Sequence, residues 1–212
     1  MKILVVGASR GTGALCVKSA LAQGHAVSAF ARTPSKLDLR HERLTKVTGD
    51  FHDAASVSSA MPGHDAVIVT ASITSLGELK RTPDYFSRGT RHCIAAMKEH
   101  GVKRLVILSA HGAGDSRAGA GWLVRTLLVG LILKRAFADH GVQEQITKDS
   151  GLEFVIARPT RLTDGSAKGQ YVRALDPAAS VPSSISRADV ADFMVEACDS
   201  KELVGKAVGL GG

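Results

Sequence analysis

Three glycines, Gly7, Gly11 and Gly13, fall within seven residues. They follow the apolar run Lys2 to Val6 and precede a helix-like run from Gly13 to Gln23. Apolar strand, glycine turn and helix in that order make a phosphate cradle. Glycine lets the backbone approach a pyrophosphate, and the free N–H groups and dipole at a helix start hold its charge. The spacing is G-x-x-x-G-x-G, which differs from the G-x-G-x-x-G dinucleotide fingerprint.

A second cluster bears on which dinucleotide fits. Folds that take NAD place Asp or Glu after the second strand, where it binds the ribose 2′-hydroxyl. Here the run Ala26 to Ala31 ends in Arg32, followed by Ser35 and Lys36. A 2′-phosphate needs a cation with forked donors, which Arg32 supplies. Arg10 and Lys36 are further candidates, and the expectation is NADP(H) in preference to NAD(H). After a third run, Leu44 to Val47, Asp50 is placed to accept from an adenine amino group and Phe51 to lie near the ring; alternatively, Asp50 or Asp53 caps the next helix. Small residues, Ala71 and Ser72, would let the cofactor's middle pass over the fourth strand.

A third group sits where a reaction would occur. Alcohol and ketone chemistry on such a scaffold uses Tyr-x-x-x-Lys, the lysine lowering the tyrosine pKa. Tyr85 is followed four positions on by Gly89 and Tyr171 by Leu175, and the chain contains no asparagine. That proton relay is not encoded. What remains is Ser109, His111, His140, Glu144 and the run Arg158-Pro159-Thr160-Arg161. This polar set suits hydride delivery to a conjugated acceptor such as a flavin, a substrate whose proton can come from solvent. Ser109 and His140 are the candidate catalytic residues, unless Ser109 only bonds backbone and His140 only starts a surface helix.

These residues need a repeating scaffold. Strand-like runs lie at Lys2 to Val6, Ala26 to Ala31, Leu44 to Val47, Ala66 to Ala71, Arg104 to Ser109 and Phe154 to Ala157, and most are dense in Val, Ile and Leu, as strands buried on both faces are. Helical runs at Gly13 to Gln23, Ala54 to Ala60, Pro83 to His100 and His140 to Ser150 separate them. Pro83 suits a first helical position, and Ser186 to Asp189 forms a capping box opening a helix to about Cys198. Lys206 to Leu210 is a possible extra strand. The pattern predicts one α/β domain over residues 1–212, a Rossmann-like doubly wound parallel sheet in the order 3-2-1-4-5-6 with helices on both faces. His111 to Ala138, Gly-rich and then apolar, reads as an insertion near the site mouth: lid, substrate wall or dimer surface.

Composition agrees. The chain has 212 residues, 44% hydrophobic and 22% charged, which fits one globular domain. The longest apolar stretch, Trp122 to Leu133, carries Arg125 and is too short to span a bilayer. A net charge of +7 comes with only 4% aromatics and no compact basic run, favouring an anionic small molecule over nucleic acid. Cys16, Cys93 and Cys198 have no metal-binding spacing, so no metal is expected. With no signal peptide legible at Met1, they point to a reducing compartment, the cytoplasm.

The chain resembles the atypical short-chain dehydrogenases/reductases with an NAD(P)H-binding, NmrA-like domain, and within them the NADPH-dependent flavin reductases of the biliverdin reductase B type. The glycine loop, Val27 to Arg32, Gly49-Asp50, Asp65 to Val69, Ile94 to Lys98, His100 to Val102, Ser150 to Leu152 and Ile185 to Asp189 carry the likeness. It implies that Gly7, Ser9, Arg10, Thr12 and Gly13, with Gly11 between them, hold the pyrophosphate. Arg32 with Ser35 or Lys36 would hold the 2′-phosphate, Asp50 and Phe51 would flank adenine, and Ala71 and Ser72 would lie beneath the diphosphate-ribose. Phe86 would line the nicotinamide side, Ser109 would match the active-site serine and His140 a histidine near the cofactor; Pro159, Thr160 and Arg161 complete the expected lining. Arg10 stands where members often have Gly, and Arg161 replaces a histidine. The implied activity is reduction by NADPH of a flavin, taken as substrate rather than prosthetic group, or of a quinone-like or tetrapyrrole acceptor. The alternative is a non-catalytic NADP(H)-binding redox sensor of the NmrA-like type. Residues 122–133 would then offer a face for a partner or for a homodimer.

Overall fold

The protein is described from a computed structural model covering residues 1–73, 77, 81–118 and 131–212. The strands are β1 (Lys2–Val6), β2 (Ala26–Ala31), β3 (Leu44–Thr48), β4 (Ala66–Val69), β5 (Arg104–Leu108), β6 (Glu153–Pro159), β7 (Arg161–Thr163), β8 (Val172–Ala174), β9 (Ser184–Ser186) and β10 (Lys206–Gly211). The helices are α1 (Gly11–Ala22), α2 (Ala54–Ser59), α3 (Tyr85–Glu99), α4 (Leu131–Lys148) and α5 (Arg187–Glu196).

The main sheet runs β3-β2-β1-β4-β5-β6-β10-β8, and all its pairings are parallel except β10 with β8. The 3-2-1-4-5-6 order is therefore present, and β10 is the extra strand. Alternate residues of the central strands enter two cores. Ile3 and Val5 pack with Cys16, Val17 and Ala20 of α1 and Val190 and Met194 of α5 on one face. Leu4 and Val6 pack with Val57, Cys93, Ile94 and Met97 on the other, beside α2, α3 and α4. Both faces are thus covered by helices, as strands apolar on both sides require.

Several expected boundaries shift. The fourth and fifth strands end at Val69 and Leu108, so Ala71 and Ser109 stand just beyond the ladder. Pro83 precedes α3 rather than opening it: the helix starts two residues later at Tyr85, where the Asp139 carboxylate accepts from Phe86 N at 2.6 Å in the first turn. α4 spans Leu131–Lys148, so residues 131–138 of the expected insertion are helix. Residues 122–130 of that insertion, with the proposed partner surface, lie outside the described residues. At the capping box, Ser186 Oγ accepts from Asp189 N at 2.9 Å. In place of the reciprocal bond to the N-cap backbone, the Asp189 carboxylate accepts from the Ser186 hydroxyl at 2.7 Å and from Lys168 N and Gly169 N at 2.8 Å. No described helix is long and apolar enough to cross a membrane.

Candidate functional site

The turn after β1 is pinned from both neighbouring strands. Gly7 N and Ala8 N donate to Phe30 O of β2 at 2.9 and 3.2 Å, and Thr70 donates to Val6 O through both N and Oγ1 at 2.9 Å. Gly7 has φ +89°, and a Cβ there would stand 2.7 Å from Ala71 N, so only glycine fits. A Cβ on Gly13 would strike the Gly7 carbonyl, so this glycine lets α1 pack directly on the turn. Arg10 is the N-cap of α1; its side chain makes no capping bond, and the first turn carries no acid. The helix start is left with unsatisfied N–H groups and a positive dipole end, the arrangement that takes an anion.

Over this turn lies a cleft of about 440 Å³. Gly7, Ser9 and Arg10 line it from the turn; Phe30, Ala31, Arg32, Thr33 and Lys36 from β2 and beyond; Gly49, Asp50 and Phe51 after β3; Ala71 and Ser72 after β4; and Tyr85 from α3. Three cationic residues, Arg10, Arg32 and Lys36, therefore line the cleft, and the run 32–37 after β2 carries no acid. Asp53, not Asp50, caps α2, accepting from Ala55 N at 3.0 Å; Asp50 accepts from His52 N at 2.9 Å. The Phe51 ring fills the space a side chain on Gly89 would need, so a lysine four residues after Tyr85 is sterically barred.

The remaining expected residues lie outside this lining. Ser35 is in the exposed 3-10 turn after β2, Thr12 and Gly13 are buried in the first turn of α1, and Gly11 opens that helix. Ser109 is buried; extending the β4–β5 register, in which Val69 faces Ile107, sets it level with Ala71 one strand over. Its hydroxyl donates to Glu144 Oε1 at 2.6 Å, so it does more than bond backbone. His140 is set well into α4, stacked on Phe86 with centroids 3.8 Å apart, and its Nδ1 lies 2.8 Å from Gln143 Oε1, so it does not start a surface helix. Burial depresses its pKa, against the Gln143 hydrogen bond and the charges of Asp139 and Glu144. The Pro159 carbonyl accepts from His111 N at 2.8 Å, Thr160 N donates to Leu210 O at 2.9 Å, and exposed Arg161 opens β7. Phe30, Ala31, Thr33, Gly49 and Tyr85 were not expected in the lining. Gly49 had a legible signal: it is a glycine directly past a strand end, and a Cβ there would strike Phe30.

Residues 7–201 match the NAD(P)H-binding family. The chain belongs to that family. Curated relatives include a 3-beta-hydroxysteroid dehydrogenase of Mycolicibacterium neoaurum, 35% identical over 52% of this chain and 32% of the relative. Sterol demethylase protein B of Methylococcus capsulatus is 30% identical over 76% and 52%, and UPF0659 protein YMR090W of Saccharomyces cerevisiae is 31% identical over 92% and 86%. The chain thus spans about a third to about half of the first two relatives, and most of the third. Among solved structures, the oxidoreductase ylbE of Lactococcus lactis superposes with a TM-score of 0.83 at 21% identity, covering 100% of this chain and 91% of that one. ChuY, an anaerobillin reductase of Escherichia coli O157:H7, gives 0.79 at 23%, covering 100% and 97%. A short-chain dehydrogenase/reductase of Veillonella parvula in complex with NADP gives 0.81 at 16%, covering 100% and 94%. At these identities the structural likeness shows the fold alone, the Rossmann-like α/β fold with its parallel sheet in the order 3-2-1-4-5-6.

Proposed function

We propose that this protein is an NADPH-dependent reductase of a flavin or another conjugated acceptor, quinone-like or tetrapyrrole. The observation that carries the reading is a cleft lined by Arg10, Arg32 and Lys36, over a helix start whose N-cap side chain makes no capping bond and a turn that admits only glycine. The turn's backbone N–H groups would hold the pyrophosphate, and Arg32, with Arg10 and Lys36, the 2′-phosphate. Asp50 and Phe51 would receive the adenine, and Ala71 and Ser72 leave room for the middle of the molecule. Ser109, directly past the end of β5, and the His140–Phe86 stack, one turn of α4 from Glu144, the hydrogen-bond partner of Ser109, would flank the reacting ring. A bound reduced nicotinamide supplies one hydride, and solvent supplies the proton that completes reduction of the acceptor. The NADP complex of the Veillonella protein and the reductase activity named for ChuY support this direction.

The test is NADPH oxidation followed at its own absorbance with riboflavin, FMN and a quinone as acceptors. Turnover with at least one is expected. Tight NADPH binding without turnover of any flavin or quinone rejects the reductase reading.

A further inference from the structure

Five polar side chains beyond the cleft form one continuous chain. Ser109 Oγ donates to Glu144 Oε1 at 2.6 Å; Arg158 donates from Nε to the same oxygen at 2.9 Å and from Nη2 to Oε2 at 2.6 Å. Arg158 Nη2 also meets Asp115 Oδ1 at 2.5 Å, and Lys148 holds the other Asp115 oxygen at 2.9 Å. Ser109, Glu144 and Arg158 are 4%, 1% and 2% exposed. The turn at Gly114 seals the pair: a Cβ there would stand 2.5 Å from Glu144 Oε2. Burial works against the charge on Arg158, yet Glu144 and Asp115 together raise its pKa above the ordinary value.

A carboxylate gripped on both oxygens by a guanidinium only accepts hydrogen bonds. The hydroxyl hydrogen of Ser109 is therefore committed to Glu144, and what Ser109 can offer elsewhere is lone pairs. We infer that Glu144, clamped by Arg158, is a positioning residue that makes Ser109 a one-way acceptor, so that the site selects a ligand edge presenting an N–H donor. The inference rests on the reductase reading of the cleft, because it takes Ser109, one strand over from Ala71, to face the reacting ring. Two groups share the required chemistry: the carboxamide –NH2 of a nicotinamide and the imide N–H of an acceptor such as an isoalloxazine. Ser109 is thereby removed as the source of the proton.

Binding measurements on the full chain separate these outcomes. One pair compares NADPH with its 3-acetylpyridine analogue, which lacks the carboxamide N–H. The other compares lumiflavin with 3-methyl-lumiflavin on the protein saturated with NADP+. The wild type is expected to prefer the N–H form roughly three- to tenfold in one pair, the value of one hydrogen bond. The pair that shows it identifies the source. Ser109→Ala should bring that ratio to about one and leave the other pair unchanged. Glu144→Gln, where it folds, should weaken the same ratio, since an amide can donate back to the serine and let its hydroxyl turn. A merely structural role would shift both members of each pair alike. Dinucleotide binding with no preference in either pair, or a preference that survives Ser109→Ala, overturns the inference alone. Failure to bind any dinucleotide overturns the cleft reading with it.

Discussion

The imidazole of His140 lies on the ring of Phe86, with centroids 3.8 Å apart and planes 21° from parallel. One residue earlier, the buried Asp139 carboxylate accepts from Phe86 N at 2.6 Å and reaches Ser87 N at 3.4 Å. Two successive residues of α4 thus grip the first turn of α3, an acid at a helix N-terminus and a ring on its side chain. Tyr85, next in sequence, lines the cleft. The α3–α4 contact therefore sets one wall of the site.

Asp139→Ala removes that acceptor and leaves buried N–H groups at the start of α3. A loss of about 1–3 kcal/mol is expected, read as a lower urea midpoint with unchanged m. An unchanged midpoint would contradict the capping role.

Arg158→Met leaves the buried Glu144 carboxylate without its partner. Breaking one side of such a pair costs about 3–5 kcal/mol. The double variant Glu144→Leu/Arg158→Met should recover much of that loss, because no charge then stays buried and alone. Equal destabilisation by the single and double variants would show that the pair's charge is not what matters.

The fold was legible because β1, β4 and β5 read as runs of Val, Ile and Leu, and a sheet covered on both faces buries such runs. The glycine turn after β1 was legible because its glycines answer local geometry at Gly7 and Gly13. β7, β8 and β9 were not: each has three residues, too few to show a period. The Ser109–Glu144–Arg158 chain was half legible. All three residues stood out as polar, but 35 residues separate the first two and their pairing depends on how α4 packs. Tyr85 was weighed only for a lysine partner, whereas its position on the wall follows from the Asp139 contact.

Stability should depend on pH through His140 and His64. Burial holds both pKa values below the ordinary value; at His64 the Met61 carbonyl bond opposes it. Both are therefore neutral in the fold at neutral pH, while the unfolded chain takes up protons near pH 6.5. Their stabilising contribution is complete above about pH 6.5 and declines as the pH falls toward the depressed folded values. Asp115 acts further down: burial raises its pKa, but the Lys148 hydrogen bond and the Arg158 charge outweigh this and lower it, so its contribution is lost only in more acid solution. Melting temperatures from pH 8 to pH 5 should fall below pH 6.5, less steeply in His140→Phe. A flat profile would contradict neutral burial of these rings.

Gly13→Val places a side chain against the Gly7 carbonyl and Thr70. Overpacking of this kind costs about 1–3 kcal/mol and here also displaces the phosphate turn from α1. Both a lower melting temperature and lost nucleotide binding are expected. Unchanged binding would show that the turn does not hold the ligand.

The central claim is that the cleft grips NADP(H) and that Arg32 selects its extra phosphate. Calorimetric titration of wild type and Arg32→Ala with NADPH and NADH tests it most directly. A charge-assisted contact is worth about 1.5–3 kcal/mol, so the variant should bind NADPH roughly ten- to a hundredfold more weakly and NADH within about twofold of wild type. Equal losses for the two nucleotides, or a wild type that binds neither, would contradict the claim.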